Sequence, residues 1–230
     1  MIDCGFGVRD AKSRLARHGL APSDVSAILV THEHADHAGG VPAFAAKYDI
    51  PVWATFGTMY AAAGRFDVCD RTYGFDSHEC FAIGDLEIWA FPVPHDAREP
   101  VQFVVGDGVH RVGMLTDIGT STPHVEKNLS GCDALVLECN HDPDLLAGSD
   151  YPFMLKQRIS GRFGHLDNQA AAGILARIDT SRLKHVVAAH LSQQNNTPAR
   201  ARAALAAALS CAEDWIGIAD QSLGFSWRDC

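Results

Sequence analysis

The chain has 230 residues, 47% hydrophobic and 20% charged, with a formal net charge of −9. That length accommodates one well-cored domain, expected over residues 1–230, and excludes a second of ordinary size. No apolar run approaches the roughly 20 residues that span a bilayer, no secretory signal is expected at the start, and the acidic balance excludes long-range attraction of nucleic acid, so such a substrate has to be held locally.

In chain order, Met1 to Gly5 reads as a short strand inside a sheet and Val8 to His18 as a helix with apolar Val8, Ala11 and Leu15 on one face. Ser26 to Thr31 reads as a buried strand that feeds the run Thr31-His-Glu-His-Ala-Asp-His37. Helices are predicted over Val41–Tyr48 and Thr55–Ala63, with a short strand over Pro51–Ala54 between them. Leu86–Val93, Val101–Val105 and Val112–Leu115 are strand-like, with a turn at Gly106-Asp107-Gly108. Ala134–Glu138 and His185–Ala189 are buried strands. Tyr151–Ser160, Asp167–Ile178 and Pro198–Leu209 are helical, the second capped by Asp167 and the third opened by proline. Trp215–Ile218 and Leu223–Trp227 close the chain as strands. Strands and helices interleave in two successive halves, which predicts an α/β architecture of two sheets with helices outside.

Seven cysteines, never spaced as C-x-x-C, argue against a disulfide framework or a zinc ribbon and for a reducing, cytoplasmic compartment. Cys4 and Cys139 read as small core residues. The histidines carry more information. His32, His34, Asp36 and His37 fall within six residues directly after a buried strand. Alternate residues of an extended stretch point the same way, so His32 and His34 can face one ion, and a turn through Ala35 to Ala38 presents Asp36 and His37 toward a second. Imidazole with carboxylate suits zinc, with manganese or iron as alternatives, and Gly39-Gly40 relieve crowding where the backbone turns. A merely solvated polar loop has no reason to repeat that spacing. His95, Asp117 and His190 each follow a strand, where site residues collect in layered folds.

The run T-H-E-H-A-D-H-A-G-G resembles the H-x-H-x-D-H signature of the metallo-β-lactamase fold, a four-layer αββα sandwich. The segments 137–142, 151–159, 164–168 and 189–196 resemble, in order, the YycJ/WalJ-like branch of metal-dependent phosphodiesterases. The resemblance implies two divalent metal ions, zinc first and manganese second. His32, His34 and His95 would hold one; Asp36, His37 and His190 would hold the other; Asp117 would bridge them. It further implies a hydrolase, most readily a nucleic-acid phosphodiesterase such as a 5'-3' DNA exonuclease, with attack by metal-activated hydroxide. Asp36, Glu138 and His165 are the catalytic candidates, with Glu138 orienting His165 to protonate the leaving group. His141, Lys156 and Arg158, with Arg162, are candidate substrate contacts. Glu33 or Asp96 would steady the ligand imidazoles.

Two departures stand out. The strand pair with which the branch usually begins does not precede Ile2-Asp-Cys-Gly-Phe6, which implies either a start assigned too late or a first hairpin that is absent, and Asp167 replaces the branch's usual serine. A thioesterase of the hydroxyacylglutathione hydrolase type shares the ligand set but has no counterpart of Glu138 and His165. The commonest zinc β-lactamases place cysteine where this chain has Asp117. A flavodiiron oxidoreductase needs a flavin domain, and a non-enzymatic module needs a missing ligand; neither fits. No membrane partner is expected.

Overall fold

The structure is a computed structural model that describes residues 1–62, 64–69 and 71–230. The chain divides into two compact units, one of residues 1–85 with 97–101 and one of residues 86–96 with 102–230, and each has its own apolar core.

The first unit contains helix α1 (Val8–Arg17), strand β1 (Ile28–Leu29), helices α2 (Ala35–Ala38) and α3 (Val41–Tyr48), strand β2 (Val52–Thr55), helix α4 (Phe56–Ala61) and strands β3 (Thr72–Phe75) and β4 (Cys80–Ile83). β1, β2 and β3 form a parallel sheet, with Ile28 opposite Val52 and Val52 opposite Thr72. Ile28, Val41, Phe44 and Val52 are fully buried in its core, and burial of a side chain such as Phe44 stabilises by roughly 1.5–3 kcal/mol. Trp53 stacks between Tyr73 and Phe81, 4.8 Å from each. The helix expected over 55–63 begins one residue later because Thr55 is its cap, accepting from the Thr58 amide at 3.2 Å; Ala63 lies outside the described residues.

The strand expected over 26–31 shrinks to two residues for a reason that bears on function. The backbone of Met1 to Asp3 runs alongside it: Leu29 donates to the Met1 carbonyl and Asp3 donates to that of Leu29, both at 2.8 Å. At Thr31 the ladder ends, because its amide donates to the Asp3 side chain at 2.8 Å. Met1 to Gly5 therefore contributes a bridge from Ile2 to Leu29 in place of a full strand. β3 escapes a reading of the sequence because Gly74 interrupts its pattern; a Cβ there would stand 2.4 Å from the Phe56 ring.

The second unit contains strands β5 (Leu86–Pro92), β6 (Val101–Gly106) and β7 (Arg111–Leu115), helix α5 (Pro123–Leu129), strand β8 (Ala134–Glu138), helices α6 (Pro143–Gly148), α7 (Phe153–Ile159) and α8 (Asn168–Leu175), strand β9 (His185–Ala189), helix α9 (Pro198–Leu209) and strand β10 (Gly217–Ile218). Its strands are hydrogen-bonded in the order β10, β9, β8, β7, β6, β5. β6 and β7 pair antiparallel through the expected turn, whereas β7, β8, β9 and β10 run parallel. The register aligns the ends of three strands: Leu115 faces Leu137 and Glu138 faces Ala189. Residues just past those ends, Asp117 and His190, are thereby brought beside Glu138. Phe91, Leu115, Leu137, Ile174 and Leu205 anchor the core beneath them.

Side-chain caps set the helix starts. Asp142, Asp167 and Thr197 accept from amides in the first turns of α6, α8 and α9, each cap contributing about 1 kcal/mol. α5 carries the same signature, Thr122 then Pro123, which the strand-weighted reading of the sequence passed over. The closing segment is a correction. Among the described residues no strand forms over 223–227; Asp220 and Gly224 instead exchange two backbone hydrogen bonds that close a turn, so the backbone there turns where the reading extended it. Trp215 ends a short 3-10 helix ahead of β10.

Candidate metal centre

In the first unit the histidine run leaves β1, passes through Thr31 to His34, and winds into the single turn of α2. His32 packs against His34 and His37, with ring centroids 4.5 and 4.2 Å apart. One carboxylate organises them. Asp3 Oδ2 accepts from His37 Nδ1 at 2.7 Å and from the Thr31 hydroxyl at 2.8 Å. With its own proton given to Asp3, the Thr31 oxygen accepts from His32 Nδ1 at 2.9 Å. Both imidazoles are thus fixed as Nδ1–H tautomers with the lone pair on Nε2, the form in which protein imidazoles bind metals while a carboxylate steadies the far nitrogen.

Asp3 holds a positive φ of 55°, a conformation uncommon outside glycine and concentrated at sites where surrounding structure enforces it. The sequence reading did not find Asp3; it assigned the steadying role to Glu33 or Asp96. Glu33 accepts from the Arg98 amide at 2.8 Å, whereas Asp96 accepts from Arg158 Nε at 2.7 Å on one oxygen and has the other 3.5 Å from His95 Nε2. Gly39 and Gly40 have ordinary negative φ values, so their role is not a sharp turn. Gly40 admits the Phe6 carbonyl, which a Cβ would meet at 1.8 Å, and Gly5 likewise admits the Asp36 carbonyl at 1.8 Å. Asp36 stands out from α2 with its side chain 72% exposed and 3.6 Å from His37 Nε2.

In the second unit the organising carboxylate is Glu138, which is 0% exposed. Its Oε1 accepts from His165 Nδ1 at 2.9 Å and from His190 Nδ1 at 2.8 Å. Its Oε2 accepts from the amides of Ile118 at 3.0 Å and Leu166 at 3.4 Å. Burial pushes the Glu138 carboxyl up, but the bonds from His165 and His190 outweigh it and hold the group below its usual range. A carboxylate that already accepts four hydrogen bonds is not itself a ready ligand. Asp117, His165 and His190 lie with Glu138 in one cluster of donor atoms within 4.8 Å of one another, and the Nε2 lone pairs of the two imidazoles point away from Glu138.

His95 follows the same rule, with Nδ1 bonded to the Gly164 carbonyl at 3.2 Å; burial lowers its pKa, opposed by Asp117, so the neutral form is favoured. Asp117 and His190 have positive φ values of 52° and 57°. Two glycines let the 159–165 segment close on Asp117. A Cβ on Gly119 would stand 2.4 Å from the Arg162 carbonyl, and one on Gly164 would stand 2.1 Å from that of Arg158.

The remaining candidates divide. His141 is 2% exposed, packed beside Asp167 and with its pKa lowered by burial. Lys156 donates to the Ala147 carbonyl at 2.7 Å, and Arg158 is held by Asp96. Asn196 and Asn168 exchange side-chain hydrogen bonds at 2.8 and 2.9 Å, locking the start of α9 to α8. Cys4 is pushed up to about 11 by burial with help from Asp3, and burial raises Cys139 further, so both are inert core thiols. Cys4, Cys132, Cys139, Cys211 and Cys230 are free thiols, and among the described residues no helix is long and apolar enough to cross a membrane.

Four of the five candidate ligand histidines, with His165, use Nδ1 as a donor to oxygen and so carry the lone pair on Nε2. That pattern, with the Asp117 carboxylate, fits a divalent metal.

Comparison with known proteins agrees. Residues 1–190 match the β-lactamase superfamily domain. The chain is 35% identical over 205 residues to the exodeoxyribonuclease YycJ of Bacillus anthracis, covering 88% of this chain and 77% of that protein. It is 31% identical over 223 residues to the exodeoxyribonuclease WalJ of Streptococcus pneumoniae, covering 95% and 82%. The metallo-β-lactamase fold protein YhfI of Bacillus subtilis superposes with a TM-score of 0.72 at 17% identity, over 99% of this chain and 86% of that one. The chain belongs to the metallo-β-lactamase superfamily, has its fold, and is a metal-dependent hydrolase.

Proposed function

We propose that residues 1–230 act as one hydrolase domain that cleaves phosphodiester bonds in nucleic acid, as a DNA exonuclease in the manner of its named relatives. His32, His34 and His95 would hold one divalent ion, Asp36, His37 and His190 the other, with Asp117 shared between them, and zinc before manganese by donor chemistry. Such ions, when bound, supply Lewis acidity toward a phosphoryl oxygen and acidify water. The chain's own residues do the rest. Asp3 and Glu138 keep the ligand imidazoles in the Nδ1–H tautomer. His165, held by Glu138, presents Nε2 as the site from which a proton passes to the departing oxygen once the ring is protonated. The free thiols of Cys4, Cys132, Cys139, Cys211 and Cys230 support a reducing, cytoplasmic setting.

One observation carries the choice of phosphodiester over thioester: the 2.9 Å bond by which Glu138 holds His165 beside Asp117. An alkoxide leaving group needs a proton donor far more than a thiolate does. The test is turnover of a bis-aryl phosphodiester, lactoylglutathione and 5'-labelled duplex DNA by the metal-loaded protein. Cleavage of the diester and of DNA is expected; activity confined to the thioester overturns the reading in favour of the hydroxyacylglutathione type.

A further inference from the structure

A feature of the second unit has no part in the scheme above. Residues 151–165 contain Lys156, Arg158 and Arg162 and no carboxylate, within a chain whose net charge is −9. The same stretch exposes large apolar side chains: Phe153 at 69%, Met154 at 73% and Phe163 at 52%. α7 buries none of its residues, so no demand of the core explains its Phe-Met pair. Arg162 lies over the Phe163 ring, 5.5 Å from its centroid, which pairs a cation with an aromatic face at the surface.

The position of Phe163 is fixed by the site. Its carbonyl accepts from the Asp96 amide at 3.0 Å, the next residue, Gly164, holds His95, and the one after is His165. Two residues of backbone reach at most about 7 Å, one or two nucleotide steps along a strand.

We propose that Phe163, flanked by Arg162, is a stacking platform for the nucleobase beside the scissile phosphodiester, and that Phe153 and Met154 of α7 extend the same surface along the strand. The inference rests on the phosphodiesterase reading and deepens it: the substrate is a nucleic acid whose terminal bases are unstacked when cleaved. Aromatic faces accept any base and add affinity without sequence choice, while neighbouring cations meet the phosphates. Arg158 is paired with Asp96 and Lys156 bonds the Ala147 carbonyl, so Arg162 beside the Phe163 ring is the cation on which the choice of a nucleic acid over an apolar peptide rests.

The experiment compares wild type, Phe163→Ala and Phe163→Trp, metal-loaded, on DNA whose terminal nucleotide is intact or abasic. Phe163→Ala should raise KM for intact DNA about five- to hundredfold with kcat much less affected, as for loss of one stacked base. Phe163→Trp should restore it. On abasic DNA wild type and Phe163→Ala should be equal. Terminal 2-aminopurine should change fluorescence on binding wild type and not Phe163→Ala.

A wild-type KM in folded Phe163→Ala, or an equal loss on abasic DNA, overturns the platform while leaving the phosphodiesterase standing. Should Phe163→Ala not fold, wild type showing no preference for the intact terminus overturns it as well. Binding of Phe163 to phosphatidylglycerol vesicles with no effect on DNA would assign the surface to lipid and also overturn it. Wild type that cleaves the thioester but no DNA defeats the underlying reading and the platform together.

Discussion

The two units solve one chemical problem in opposite ways. In the first, the donors fall within six residues: His32 and His34 precede α2, Asp36 and His37 sit on its single turn, and one distant residue, Asp3, steadies His37 directly and His32 through Thr31. In the second, His95, Asp117, His165 and His190 come from four separate segments, and the buried Glu138 gathers two of them directly. A contiguous motif needs only local backbone to place it. A dispersed one needs strand register, glycines for close approach and a hub carboxylate. The second arrangement concentrates more function in one residue, so it should be the more fragile.

Glu138→Gln breaks that comparison most severely. An amide keeps one accepting oxygen where Glu138 has two: if that oxygen serves His165 and His190, the amide N–H faces the Ile118 and Leu166 amides, and if it serves those amides, N–H faces both imidazoles, so the hold on the two tautomers is weakened either way. We expect kcat/KM to fall about 10²- to 10⁴-fold, with the protein still folded by circular dichroism. Asp3→Asn disturbs His37 directly and His32 only through Thr31. Its expected cost is smaller, about 10- to 100-fold in metal affinity by competition with a chelating dye. If Asp3→Asn proves the more damaging, the contrast between a relay and a hub is wrong.

Stability in the second unit can be probed away from the donors. Asp133 accepts from the Arg111 amide at 2.8 Å and from Arg182 at 3.1 Å. Burial pushes its carboxyl up, yet these bonds win and hold it below its ordinary value. The group therefore stabilises the fold above the unfolded pKa of about 3.9, and that contribution disappears as pH falls through the lower folded value. Asp133→Asn should cost about 1–3 kcal/mol at pH 7 by urea unfolding, and the gap from wild type should close below about pH 4. Asp167→Ala, which removes only the cap of α8, should cost about 1 kcal/mol.

What could be read in the sequence follows the same division. The run from His32 to His37 was legible because its spacing is its geometry. Val41–Tyr48, Ala134–Glu138, His185–Ala189 and Pro198–Leu209 kept their expected boundaries, since apolar content, strand-end polarity or a proline marks each end. His95, Asp117 and His190 showed only as polar residues after strands, and family resemblance had to choose among them. Asp3 left a fainter trace, as an aspartate in an apolar run just before Cys4. Its partner lies 34 residues away, and no local period reports such a pairing. Its positive φ, shared with Asp117 and His190, is a signal that only coordinates carry. That Glu138 serves His190 as well as His165 likewise required the register of β8 on β9.

The seven proposed ligands would hold two divalent ions. Metal content after equilibrium dialysis against zinc tests that assignment most directly, in wild type, His34→Ala and His190→Ala, each variant lacking one donor to a different ion. Two ions per chain are expected in wild type and fewer than two in both variants. Two tightly held ions in both variants, or none in wild type, would contradict the assignment.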